Sequence, residues 1–474
     1  MDTIFYALLS ALILYVLYLL ARIGHRPNGY PPGPPTLPVL GNIHLNPHLQ
    51  FQIWANQYGG VYSLMLGTKT MIVLSSDNPI KDLLDKKSAI YSGRPDLYTG
   101  QTLMSGDKRM VMMNYGSPWR THPLLQTLFE NLDNYVRLNT TGGAMAADFY
   151  PILRYLPTSL MPSKREALDH YNHEIKLYTD LYLATKRSRE KLRSTSRPCV
   201  CDDVVEVQAK EGFSDEYTAH IPAQLWEAGS DTTSTQLYAF VQALLLYPHI
   251  QAKGQAELDF VVGPDRMPTL EDMSSLPYVR ACVKESFRWH PTAVLGAFPH
   301  STSENDTYNG YRIPKNAIIL TNTWAIHRDP KRYPNPSVFD PERFIGDNTT
   351  SSESANCMDV SKRDHFGFGA GRRICPGMNV ADRSMLLGIS RIFWAFDIKP
   401  KKGKALPTQD DFEPGFVAIP KRFDVDVKPR SDGREKIVRS EWEKAKEGLD
   451  EDGQFLGGWG GPKYNGGQSA GPTG

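Results

Sequence analysis

Residues 364–378 read DHFGFGAGRRICPGM, and Cys375 is the only cysteine in the run. A structural cysteine needs only a small apolar pocket, whereas this one stands among glycines, arginines and a proline. Gly369 and Gly371 permit a tight turn ahead of it. Pro376 reads as an early helix position, with a helix continuing through MNVADRSMLLGISRIFWAF. A thiol at a helix N-terminus meets the positive end of the peptide dipole and free N–H groups, which favour the thiolate. Gly377 would let a flat ligand approach closely. The chemistry suggested is an axial thiolate on haem iron, a ligation that favours O–O cleavage. Covalent haem attachment is not expected, because no Cys-x-x-Cys-His occurs.

Two other segments could carry chemistry. Ser214 to Tyr247 reads as one long helix that ends before Pro248, with Ser214 as N-cap and Asp215 and Glu216 in the first turn. Its 34 residues would span ~50 Å. Inside it lies Ala228-Gly229-Ser230-Asp231-Thr232-Thr233. A glycine there costs ~1 kcal/mol relative to alanine. The patch either faces something bulky, with the helix ladder locally opened, or is a solvent-facing polar stripe. Pro222 adds an expected kink. The segment Leu276 to His290 begins with Pro277 and is stopped by Pro291. Glu285 and Arg288 share a face of it. Exposed, such a pair is worth little; buried, it could fix a loop by bidentate contacts.

The elements that must position these residues are bounded by the whole chain. Its 474 residues can bury a sizeable core. Lys plus Arg number 53 against 52 Asp plus Glu, so no global field favours nucleic acid. Five scattered cysteines suit a reducing compartment. Cys199 and Cys201 read as two free thiols in a surface loop. Ile4 to Ala21 is an 18-residue run without a charge, followed by Arg22, His25 and Arg26. It reads as a retained transmembrane anchor within residues 1–26 that leaves the rest on the cytosolic side. Residues 27–40 form a Pro-rich hinge containing Tyr30-Pro-Pro-Gly-Pro-Pro35. VYSLMLGTKTMIVLSS reads as a hairpin turning at Gly67, with a helix from about Asn78. Residues 431–474 read as a C-terminal helix and a Gly-rich disordered tail.

The pattern Phe368-x-x-Gly371-x-Arg373-x-Cys375-x-Gly377 resembles the haem-binding signature of cytochromes P450 at every fixed position. Glu285-x-x-Arg288 and Pro341-Glu-Arg343-Phe344 precede it in the family's order, after the Ala-Gly-x-Asp-Thr segment. The resemblance extends from the N-terminal apolar run to about residue 430. It is strongest to fungal microsomal members of the O-methylsterigmatocystin oxidoreductase type. It implies a mainly α fold, a helical bundle with a small β-rich region over residues 41–430, behind one transmembrane helix. It implies haem b, with Cys375 as iron ligand and Arg373, His300 and Trp119 on the propionates. Glu285, Arg288 and Arg343 would form the buried network behind the haem. Asp231 and Thr232 would manage proton delivery to dioxygen, with Gly229 making room.

One stretch departs from the family. Trp119-Arg-Thr-His-Pro123 has proline where members have an arginine for the haem, and Leu124 to Leu132 joins a segment that the family places several helices later. Helices around 123–133 are therefore expected to be missing, and the apolar flank of the long helix to lie bare. The expected activity is that of a monooxygenase fed by a separate NADPH-cytochrome P450 reductase, since no flavin or dinucleotide module occurs. Its substrate would be a lipophilic small molecule, with secondary metabolism as the setting and the endoplasmic reticulum membrane as the location. The alternatives are a haem-binding remnant without turnover and an O₂-independent haem-thiolate isomerase or dehydratase. Asp231-Thr232 argues against the last.

Overall fold

The computed structural model describes residues 2–37, 42, 47–95, 98–104, 135, 146–192, 199–413 and 417–447. Trp119, the junction at Leu124–Leu132 and the Gly-rich tail lie outside them.

Helices longer than two turns are numbered α1 Asp2–Arg22, α2 Pro47–Tyr58, α3 Pro162–Leu192, α4 Val200–Glu211, α5 Asp215–Leu246, α6 Pro248–Val261, α7 Pro277–Trp289, α8 Met378–Ala395 and α9 Asp432–Lys446. Their limits follow local chemistry. Ser214 caps α5 by accepting from the Tyr217 N–H at 3.2 Å. Pro248 ends α5 and opens α6, because a proline lacks the N–H needed inside a helix but not in its first turn. Phe240 and Leu244 of α5, Leu258 of α6, Val279 and Val283 of α7 and Phe393 of α8 meet in the largest apolar cluster. A Cβ on Gly254 would come within 2.3 Å of the Phe393 ring, so α6 and α8 lie closer than any side chain there would allow.

The strands are few. The hairpin β1 Val61–Leu66 and β2 Lys69–Leu74 turns at Gly67, whose φ of +57° suits glycine. β3 is His300–Ser301, β4 Asp306–Tyr308, β5 Tyr311–Ile313 and β6 Ile318–Thr321. The main sheet has the order β1-β2-β6-β3, with β2 and β6 parallel and the other pairs antiparallel. After β2 the helical turn Asp77–Pro79 passes into a π-helical stretch, Ile80–Lys86. The Pro-rich segment lies along β1, because prolines keep carbonyls to offer. Arg26 donates to Gly33 O at 2.9 Å and Pro34 O at 2.8 Å, and Ser63 N donates to Pro32 O at 2.8 Å.

Several expectations change. The long helix runs unbroken through Pro222 and through Gly229. Helix α8 begins at Met378, so Pro376 precedes it and Gly377 is the N-cap. Cys199 is not in a loop but is the N-cap of α4, with its N–H held by Asp202 at 2.7 Å. No large apolar side chain of α5 is among the exposed ones, so its flank is not bare. Among the described residues no helix is long and apolar enough to cross a membrane. The run Ile4–Ala21 sits within α1, but the side chains of Ile4, Ala7 and Ala21 are outside the described set. Its described apolar side chains are exposed, Phe5 at 64% and Leu14 at 66%.

Candidate active site

The cysteine loop is closed by its own backbone. Cys375 N donates to Phe368 O at 2.9 Å, and the turn between them needs positive φ at Gly369 (+77°) and Gly371 (+68°). A Cβ at Gly371 would lie 2.0 Å from Leu84 O, so only glycine fits there. The N–H of Gly371 donates to Asp85 Oδ1 at 2.8 Å, while Asp85 Oδ2 pairs with Arg363 at 2.5 Å and Lys81 at 3.1 Å. The π-helical stretch thus holds the loop from one side. The Phe368 ring packs on Phe287 of α7, with centroids 5.0 Å apart.

The other side is held by the Glu285–Arg288 pair, which is buried. Arg288 makes two bonds of 2.6 Å to the Glu285 carboxylate. Its remaining donors reach His327 O, Pro336 O and Val338 O at 2.8 to 3.1 Å. Glu285 also accepts from Asp340 N at 2.8 Å and lies 3.6 Å from Arg343 Nε. Burial pushes the Glu285 carboxyl up, and Arg288 opposes it most directly. His327 carries this frame to the loop. Its Nδ1–H meets Arg288 O at 2.9 Å, and its Nε2 accepts from Phe366 N at 2.8 Å. Burial keeps the imidazole neutral, as that acceptor role requires. Sequence reasoning missed His327 and Asp85, since WAIHRDP and DLLDK carry no chemical signature.

Beside the loop stands a basic cluster. His300, on β3, donates from Nδ1 to Tyr91 O at 2.8 Å. Arg94 reaches Phe298 O at 2.8 Å and Pro299 O at 2.9 Å, next to a bridge between Gly93 and Ser301. Arg373 is exposed and donates to Ser92 O at 3.2 Å. Burial, Arg94 and Arg373 bring the His300 pKa down to about 4, and burial with Arg373 brings Arg94 down to about 10. No carboxylate among the described residues forms an ion pair with any of the three. Arg94 was not singled out from sequence. Trp119, expected on the propionates, lies outside the described residues.

On α5 the hydroxyls fold back on their own helix. Thr232 Oγ1 donates to Ala228 O at 2.9 Å, and Ser230 and Ser234 repeat the pattern at 2.7 Å each. This satisfies the hydroxyl hydrogens while leaving the oxygens able to accept. Asp231 and Thr232 are half-buried.

The donor set fits haem b. Cys375 is a free, half-buried thiol. Burial pushes its pKa up, and the Gly377 N–H opposes this. A metal cation would replace the proton on sulfur and offset that burial cost. Arg94 and Arg373, without an acidic partner among the described residues, suit two propionates, whose charge would also favour a second proton on His300. Together with the helical frame, this arrangement defines a haem-thiolate protein. The cytochrome P450 family model matches residues 31–134 and 121–427. The chain is 43% identical to the cytochrome P450 monooxygenase virE of Hypocrea virens, covering 94% of each. It is 39% identical to fogE of Aspergillus ruber, covering 95% of this chain and 96% of that one. A zebra fish cytochrome P450 solved with abiraterone is 26% identical with a TM-score of 0.59, covering 82% of this chain and 100% of that one. The chain belongs to the cytochrome P450 family and is a monooxygenase with haem b as cofactor. The alignment to virE extends over 521 residues, more than the 474 of this chain, and the family match divides at 121–134.

Proposed function

We propose that this monooxygenase is held at the endoplasmic reticulum membrane by residues 1–26, takes electrons from an NADPH-cytochrome P450 reductase and oxidises a lipophilic small molecule of fungal secondary metabolism. The observation that carries the reading is the cysteine loop, where Cys375 lies before Gly377 with Arg94, Arg373 and His300 grouped beside it. Haem b supplies a redox iron whose thiolate ligation favours O–O cleavage. Cys375 would hold the iron, while Arg373, His300 and Arg94 would hold the propionates. Phe368, Gly371 and Gly377 would shape the loop. Thr232 would accept and pass a proton at Oγ1, with Asp231 one residue before it as the supply. The names of virE and fogE as monooxygenases support an oxidative reaction here.

The test is a carbon monoxide difference spectrum of the reduced, haem-supplied full chain. A thiolate-type band that disappears in Cys375→Ala is expected. A neutral-thiol band in the unaltered protein would overturn the assignment. A second reading, a haem-binding remnant without turnover, is favoured by the division of the family match at 121–134. It predicts the thiolate-type band but no product with the reductase across a panel of lipophilic compounds.

A further inference from the structure

The chain entering the cysteine loop has its backbone donors taken up one after another. The His365 N–H goes to Asp364 Oδ1 at 2.8 Å, the Phe366 N–H to His327 Nε2 at 2.8 Å and the Gly367 N–H to His365 Nδ1 at 3.2 Å. Gly369 N then donates to Phe366 O at 3.1 Å, and Cys375 N to Phe368 O at 2.9 Å. Side chains therefore direct three consecutive N–H groups before the turn at Gly369. Two of these acceptors are held from elsewhere. Ser354 Oγ donates to Asp364 Oδ1 at 2.5 Å and accepts from Asp364 N at 2.8 Å, while His327 belongs to the Arg288 frame. The third acceptor, His365, has no role in the haem site described above. A backbone N–H only donates, so Nδ1 carries no proton and the neutral ring keeps its proton on Nε2. Asp364 Oδ1, 3.7 Å from Nε2, favours that tautomer. His365 is 4% exposed, and burial lowers its pKa against the pull of Asp364 and Asp382, which keeps the ring neutral. The ring also packs on Phe287 and Phe368, with centroids 5.0 and 5.3 Å away.

We infer that His365 is a positioning residue for the thiolate: by accepting the Gly367 N–H at Nδ1 it fixes the turn that presents the Phe368 carbonyl to Cys375 N. The inference rests on the reading of Cys375 as the iron ligand. The bond reaches the N–H two residues on, the same reach by which an Asn or Asp side chain closes an Asx-turn. It therefore orients Gly367 and Phe368 before any contact from another element does. Without it the Gly367 N–H has no listener within the loop, and the Phe368 carbonyl is free to swing away from Cys375.

The experiment compares the unaltered, haem-loaded full chain with His365→Leu, which removes the acceptor at similar bulk, and His365→Asn, which restores it through Oδ1 without the ring. Two quantities are read: amide exchange over residues 366–369 by mass spectrometry, and the carbon monoxide difference spectrum of the reduced protein. In His365→Leu the Gly367 amide should exchange about tenfold faster, the factor for one lost hydrogen bond. The thiol-type band should grow there at the expense of the thiolate-type band. His365→Asn should bring both readings back to those of the unaltered chain. Unchanged exchange and an unchanged band in His365→Leu would overturn the proposal. Fast exchange with a thiol-type band in His365→Asn would also overturn it, by assigning the effect to ring packing alone, and this arm decides the matter if the leucine variant does not fold. Failure of the Cys375 assignment reads differently: a neutral-thiol band already in the unaltered chain, which leaves no thiolate for His365 to position.

Discussion

On α7, the buried Arg288 engages every one of its donors, two to Glu285 and three to backbone carbonyls. On α5, the equally buried Gln224 has no partner for either its amide oxygen or its amide nitrogen. Nearby, His220 Nε2 is also unbonded, 3.6 Å from the Glu174 carboxylate of α3. Arg288 therefore finds every partner it needs within residues 285–338, although Arg343 Nε, Arg363 Nε and Nη1, Asp364 Oδ2 and His365 Nε2, further along the frame, have no hydrogen-bond partner. The α3–α5 face does not complete the pairing of its buried polar groups. The expected cost of a shortened chain was bare apolar area on the long helix. That area is not exposed, and the buried polar groups without partners lower stability without creating a sticky surface.

The comparison is broken or sharpened by four substitutions. The largest effect is expected from Glu285→Ala, which leaves a buried guanidinium without its carboxylate. The loss should be about 3–5 kcal/mol, read as a fall in denaturation midpoint together with loss of haem. Survival of both would mean that the frame is redundant. Asp85→Ala removes the acceptor of the Gly371 N–H and the partner of Arg363. A loss of about 1–3 kcal/mol is expected, and a carbon monoxide band moving toward the neutral-thiol position would show that the loop, and not merely the fold, had loosened.

His300→Gln tests the basic cluster through pH. The folded-state pKa of about 4 lies below the usual 6.5, so between those values the unfolded chain binds more protons. The haem-free protein should therefore lose stability as pH falls from about 6.5 to 4, and the variant should lose less over that window. Identical melting profiles would remove His300 from the cluster's energetics. The smallest effect has the opposite sign. Gln224→Leu replaces an unsatisfied amide with an apolar side chain of similar size, and should be neutral or stabilise by about 1 kcal/mol in chemical denaturation. A clear destabilisation would show that Gln224 has a partner, such as an ordered water, and the contrast with Arg288 would collapse.

Much of the site was legible because covalent neighbours make it. Phe368, Gly371 and Cys375 share a backbone turn that their spacing encodes, although Leu84, Asp85 and Phe287 from far along the chain also hold Gly371 and Phe368 in place. Glu285 and Arg288 were placed correctly because one helical turn brings them together. Pro376 was misread as helical. It lies two residues before Met378, and sequence favours a proline in a first turn without saying where that turn starts. Cys199 was misread because a cysteine is an unusual N-cap, and here the bond that fixes it comes from the Asp202 side chain to its backbone N–H.

By itself the sequence determined the turn that closes the Cys375 loop, the long helix with Asp231 and Thr232, and the pairing of Glu285 with Arg288. These depend on contacts within a few residues, where backbone geometry leaves little choice. Only the tertiary structure decided that Asp85 holds Gly371, that His327 links Arg288 to Phe366, and that Arg94 joins His300 and Arg373. Those partners stand tens to hundreds of residues apart. Their meeting depends on how the sheet, the π-helical stretch and α7 pack, which no local pattern encodes.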